Sequence, residues 1–107
     1  MNELLRVASR RHSEDMGSRD YFDHVTPDGV NPFQRIEAIG FTGAQPWGEN
    51  LAGGSDTAQR AVAGLMDSPG HCRNIMNAAY QVAGMGYAFD ANSPFRHYWT
   101  QKFAGGD

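Results

Sequence analysis

Residues 81–89 read Gln-Val-Ala-Gly-Met-Gly-Tyr-Ala-Phe, and their alternation is the feature that most limits what this chain can become. In an extended strand, Ala83, Met85, Tyr87 and Phe89 share one face, while Val82, Gly84, Gly86 and Ala88 share the other. A face made of two glycines, an alanine and a valine fills little space by itself. Another element must pack closely against it. Residues 97–103 alternate in the same way, with Trp99, Gln101 and Phe103 opposite Tyr98, Thr100 and Lys102. Asp90-Ala91-Asn92-Ser93-Pro94 between the two runs is loop-forming, so they are read as an antiparallel hairpin.

Helical patterns dominate the chain before the hairpin. Leu5, Ala8, His12 and Met16 recur at helical spacing within 3–19, and Gly17 with Tyr21 and Phe22 marks the end of that helix. Pro27-Asp28-Gly29 is a turn, since Pro presets φ, Asp bonds its own backbone and Gly takes a positive φ. Asn31 caps a short helix that begins at Pro32, buries Phe33, Ile36 and Ile39, and stops at Gly40. Gln45 to Gly54 is a short extended segment leading to a turn. Asp56 and Gln59 have the form of a capping box for a helix with Ala58, Ala61, Val62, Leu65 and Met66 on its stripe. Ser68 and Pro69 open a last helix, with Cys72, Ile75, Met76 and Ala79 on its apolar side. Helices first and strands last indicate an α+β fold rather than a parallel sheet. A length of 107 residues suits one domain over 1–107.

Composition narrows the function classes. The net charge is −3 and the nine Lys and Arg are scattered, so no nucleic-acid partner is expected. No apolar run approaches the roughly 18 residues of a transmembrane helix, and no secretory leader opens the chain. Cys72 is the single cysteine, which excludes an internal disulfide and a zinc site of several thiolates. On its apolar stripe it reads as structural.

Four histidines are candidates for chemistry. His12 lies on the apolar stripe of the first helix and reads as a core residue. His97 begins a strand in a polar context and reads as an exposed pairing residue. His24 stands in a loop between a helix end and a rigid turn, where functional residues concentrate. His71 sits in the first turn of a capped helix, whose dipole disfavours the imidazolium and keeps the ring neutral, as a base or metal ligand requires. Glu49, between Gly48 and Asn50, is placed to reach across to a histidine. Glu49 and His71 are thus the candidates for acid–base work, although no catalytic residue is assigned. There is no H-E-x-x-H helix, P-loop, G-x-G-x-x-G or G-x-S-x-G. Ser68 reads as a helix cap rather than a nucleophile.

The motifs His12-Ser13-Glu14-Asp15-Met16, Tyr21-Phe22-Asp23-His24, Thr26-Pro27-Asp28-Gly29, Gly48-Glu49-Asn50-Leu51-Ala52, Ser68-Pro69-Gly70-His71 and Tyr98-Trp99-Thr100-Gln101-Lys102-Phe103 occur in that order. Together they resemble bacterial members of the CAP superfamily, the group of cysteine-rich secretory proteins, antigen 5 and plant pathogenesis-related class 1 proteins. The resemblance covers nearly the whole chain. It implies an α-β-α sandwich with a small antiparallel sheet between helical layers. It also implies a cleft lined by His24, Glu49, Ser68 and His71, with His24 and His71 as ligands where zinc or another divalent cation binds. Ser68 stands near where eukaryotic relatives carry a second acidic residue. Relatives usually begin with one more helix, so this chain is N-terminally short, and part of its sheet is expected to be uncovered or covered by a partner chain in a dimer.

Three functions stay open on this reading. The first is an extracellular or cell-envelope binding module for a lipid, a peptide or a cell-wall component. The second is a structural or interaction domain with no ligand. The third is a metal-dependent hydrolase using His24, His71 and Glu49, for which three protein ligands plus water are the usual zinc arrangement.

Overall fold

The computed structural model describes residues 1–107. It contains four helices, α1 (Glu3–Arg19), α2 (Pro32–Ala38), α3 (Ala58–Met66) and α4 (Pro69–Met76). Three strands, β1 (Trp47–Gly53), β2 (Val82–Phe89) and β3 (His97–Ala104), form one antiparallel sheet in the order β1-β3-β2. The fold is α+β, as the run of elements indicated. Helices α1 and α2 lie on one face of the sheet and α3 and α4 on the other.

The glycine face of β2 is covered by α1. A Cβ added at Gly84 would stand 2.3 Å from the backbone nitrogen of Arg6, and one at Gly86 would stand 2.0 Å from that of Arg10. Helix backbone therefore rests directly on strand backbone, and only residues without a Cβ allow it. The hydroxyls of Ser9 and Ser13 donate to the carbonyls of Gly84 and Gly86 at 3.1 Å each. Small residues thus set both the distance and the polar bonding across this seam.

Two apolar clusters flank it. Leu5, Ile36, Phe41 and Ala104 join α1, α2 and the end of β3, while Met16, Leu51 and Tyr98 join the far end of α1 to β1 and β3. On the opposite face the cover is thinner. Asn50 of β1 donates to the carbonyl of His71 at 3.0 Å and to Gln101 Oε1 at 3.1 Å, and accepts from Asn74 at 2.8 Å, so α4 is bonded to the sheet through amides. Tyr87 and Phe89 remain exposed on that face.

Local signals were mostly realised, with shifts at helix ends. Asn31 and Gln34 form a reciprocal capping box on α2. The box expected at Asp56 is replaced by Thr57, which accepts from the backbone of Arg60, while the Asp56 carboxylate takes the Arg60 guanidinium at 2.8 Å. Ser68 occupies the N-cap position of α4, but its hydroxyl makes no cap bond. α4 ends at Met76 and buries none of its residues fully, so Ala79 lies outside it. No helix is long and apolar enough to cross a membrane.

Candidate functional site

Glu49 stands at the centre of the polar cluster. It lies on β1 opposite Lys102 of β3, and the alternation of both strands turns the two side chains toward α1 and α2. The Glu49 side chain is 2 % exposed and that of Lys102 is fully buried. The Lys102 ammonium contacts Glu49 Oε2 directly. Arg35, from α2, donates to Oε2 at 2.9 Å and to Oε1 at 3.1 Å. His24 donates from Nδ1 to Oε1 at 2.8 Å. Both carboxylate oxygens are therefore saturated by charge-assisted donors.

Arg35 also donates to the carbonyl of His24 at 2.6 Å, so a single guanidinium fixes the loop and the carboxylate together. Its Nε is buried without a partner. The loop is held from the other side by His12, whose Nε2 donates to the carbonyl of Asp23 at 2.9 Å. Tyr21 donates to Asp15 at 2.5 Å, and Asp15 in turn pairs with Arg19. His24 thus projects from a segment anchored at each end. With Nδ1–H committed to Glu49, Nε2 is the free ring nitrogen, and the side chain is 45 % exposed.

The electrostatics follow from burial and pairing. Burial pushes the Glu49 pKa upward, but the hydrogen bonds from His24 and Arg35 and the charges of Lys102 and Arg35 prevail and hold it well below the usual carboxylate range. Burial, aided by the repulsion of Arg35, lowers the Lys102 pKa to about 8, against the pull of Glu49. His12 is lowered to about 4, first by burial and then by Arg35, with Glu49 opposing. His12 is thus neutral, in the core position its stripe indicated.

The residues expected to line one cleft are hydrogen-bonded in two pairs, His24 with Glu49 and Ser68 with His71. The His71 Nδ1 and the Ser68 hydroxyl share a hydrogen bond of 2.9 Å, and the His71 carbonyl receives Asn50. A cavity of about 310 Å³ between α1 and α2 is lined by Arg11, His12, Asp15, Arg35, Ala38 and Ile39 together with Ala8. None of the four expected cleft residues lines it.

A divalent cation on His24, His71 and Glu49 does not fit this arrangement. No three His, Cys, Asp or Glu side chains converge to hold a metal ion. The Glu49 carboxylate is already enclosed by two buried cations, so its charge and lone pairs are spent on them. The sequence reading overlooked Arg35 and Lys102. Lys102 had a legible signal, an isolated charge on the Tyr98–Thr100 face of a strand. Arg35 had none, because a charged residue on a short helix ordinarily faces water.

The comparisons with known proteins agree with the fold. The family model for the cysteine-rich secretory protein family, CAP, matches residues 1–103. The uncharacterized protein YkwD of Bacillus subtilis is 34 % identical over 105 residues, which cover 98 % of this chain and 38 % of that protein. The uncharacterized membrane protein YlbC of the same organism is 35 % identical over 92 residues, covering 86 % of this chain and 24 % of its own length. The chain therefore spans well under half of the curated relatives it matches. An extracellular protein containing an SCP domain from Bacillus anthracis superposes with a TM-score of 0.82 at 26 % identity, over 96 % of this chain and 32 % of that one. An outer surface protein of Borrelia burgdorferi superposes with a TM-score of 0.84 at 19 % identity, over 99 % of this chain and 76 % of that one, a likeness of fold.

Proposed function

Since the chain belongs to the cysteine-rich secretory protein (CAP) family, we propose that it is an extracytoplasmic binding module that recognises its ligand through His24 and is not a metal-dependent hydrolase. The carrying observation is the saturation of Glu49. A carboxylate enclosed by Arg35, Lys102 and His24 has no free lone pair for a metal and no tendency to take a proton. What it does is orient one imidazole. His24 then meets a ligand with a fixed ring and a free Nε2, an arrangement that gives directional hydrogen bonding at small entropic cost. Lipids, peptides and cell-wall fragments are the ligand classes that the resemblance implies.

The test is a binding panel of cell-wall glycan fragments, lipid vesicles and peptides, followed by the imidazole proton signals of His24. A saturable ligand should shift those signals, and His24→Ala should lose binding roughly tenfold or more while melting like the parent, because the ring is half exposed. Binding that survives His24→Ala would sink the assignment. A carboxylate-oriented imidazole is also the geometry of a general base. Turnover of an ester or peptide panel that disappears in His24→Ala would move the domain to the enzymes.

A further inference from the structure

A second concave site lies between α2 and the start of β1, away from the Glu49 cluster. It encloses about 310 Å³ and is lined by Phe33, Glu37, Gln45, Pro46 and Trp47. That volume is at the lower end of the roughly 300–1,000 Å³ of small-ligand pockets. Phe33 and Glu37 are one helical turn apart on α2, so the ring and the carboxylate share a face. The Trp47 indole is held in place from behind. Its Nε1 donates to the carbonyl of Gly43 at 3.2 Å, and the buried ring of Phe41 packs edge-on to it at 6.1 Å between centroids. Phe33 leans toward the indole at 6.2 Å with an interplanar angle of 48°, and is half exposed. Two aromatic rings therefore form a splayed pair that leaves ring surface open to a ligand.

The carboxylate at this site is unspent. None of the ion pairs in the protein uses Glu37, and its side chain makes no hydrogen bond. Arg35, the cation nearest in sequence, is committed to Glu49 on the inner side of α2. Two open ring surfaces beside an unpaired negative charge attract cations, through the negative potential of the ring faces and direct Coulomb attraction. The kind of cation follows from hydrogen-bond supply. A primary ammonium brings three N–H donors that need acceptors. The lining offers one carboxylate and one amide oxygen beside rings and a proline, so a cation without N–H groups loses least on leaving water.

We propose that this groove binds a quaternary ammonium group of the choline type, seated between Phe33 and Trp47 with Glu37 as its counter-charge. The site is independent of the function proposed for His24. Choline titrated into the labelled domain, followed in nitrogen–proton correlation spectra, tests it directly, because the chain has only two indole N–H signals. Trp99 serves as the internal reference, since its indole donates to the carbonyl of Ser55 at 2.7 Å on the other face of the sheet. The expected result is a saturable shift of the Trp47 signal with the Trp99 signal unmoved. Glu37→Gln and Phe33→Leu, both at exposed positions, should each weaken binding by roughly fivefold with undisturbed spectra. The uncharged tert-butyl analogue of choline should bind more weakly than choline. Equal binding of that analogue would reduce the site to an apolar groove and overturn the proposal. Equal binding of a blocked lysine would overturn the preference for a quaternary centre. A Trp47 signal that does not move at saturating choline would remove the site altogether.

Discussion

The two faces of the sheet are built on different principles. On the α1 face, helix and strand meet backbone to backbone across Gly84 and Gly86, and buried charges are gathered at Glu49 and Lys102. On the α4 face, side-chain amides of Asn50, Asn74 and Gln101 carry the contact, and Tyr87, His97 and Phe89 stack in the open. The first face cannot tolerate an added methyl group or an unpaired charge. The second also buries Leu65, Trp99 and Phe103, but its edge at Tyr87 and Phe89 stays open to water. Close packing and charge burial thus coincide on the side that presents His24, which is what keeps that imidazole in one orientation.

The sharpest way to break this contrast is Gly86→Val. Its Cβ would enter the backbone of Arg10, which cannot swing aside as a side-chain tip could, so a loss of more than about 4 kcal/mol or failure to fold is expected in urea unfolding. A loss under about 1 kcal/mol would show that α1 can lift away from the strand. Next in size is Glu49→Gln, which leaves Lys102 and Arg35 buried without a counter-charge and should cost about 3–5 kcal/mol. Its effect should shrink as pH rises past the Lys102 pKa of about 8, because the neutral amine no longer needs the carboxylate.

The third probe is pH. The folded His12 pKa of about 4 lies below the ordinary 6.5, so between these values the unfolded chain takes a proton that the folded protein refuses. Stability is complete above 6.5 and falls as pH drops toward 4, by an amount of order 3 kcal/mol for this residue. Thermal melts across that window should show the fall in the parent and a flatter profile in His12→Gln. Smallest of all is Tyr87→Ser on the open face. It removes a half-exposed ring and its bond to His97, and should cost about 1 kcal/mol or less. A cost near that of Gly86→Val would mean that the aromatic stack carries the sheet after all.

The helices, the hairpin and the need for something close against Val82–Ala88 were legible because they rest on local periodicity and on the size of side chains. Asn31 as a cap was legible for the same reason, since capping involves residues three positions apart. Thr57 taking the place expected of Asp56 is an ambiguity between adjacent capping residues, and Asp56 had a competing partner in Arg60. The site was legible only in part. His24 and Glu49 do meet, but sequence order does not say which partner a loop or helix residue reaches, and His71 pairs with Ser68.

By itself, the sequence determined the inventory: four helices, a strand that only bare backbone could approach, and an imidazole and a carboxylate in separate segments. It determined these because each depends on neighbours within about one helical turn or one strand. The tertiary structure decided that α1 is the element on the glycine face, that Arg35 and Lys102 close over Glu49, and that His24 pairs with Glu49 while His71 pairs with Ser68. Those outcomes depend on burial. A charge is placed inside only where distant segments deliver every partner at once, and no local pattern records that convergence.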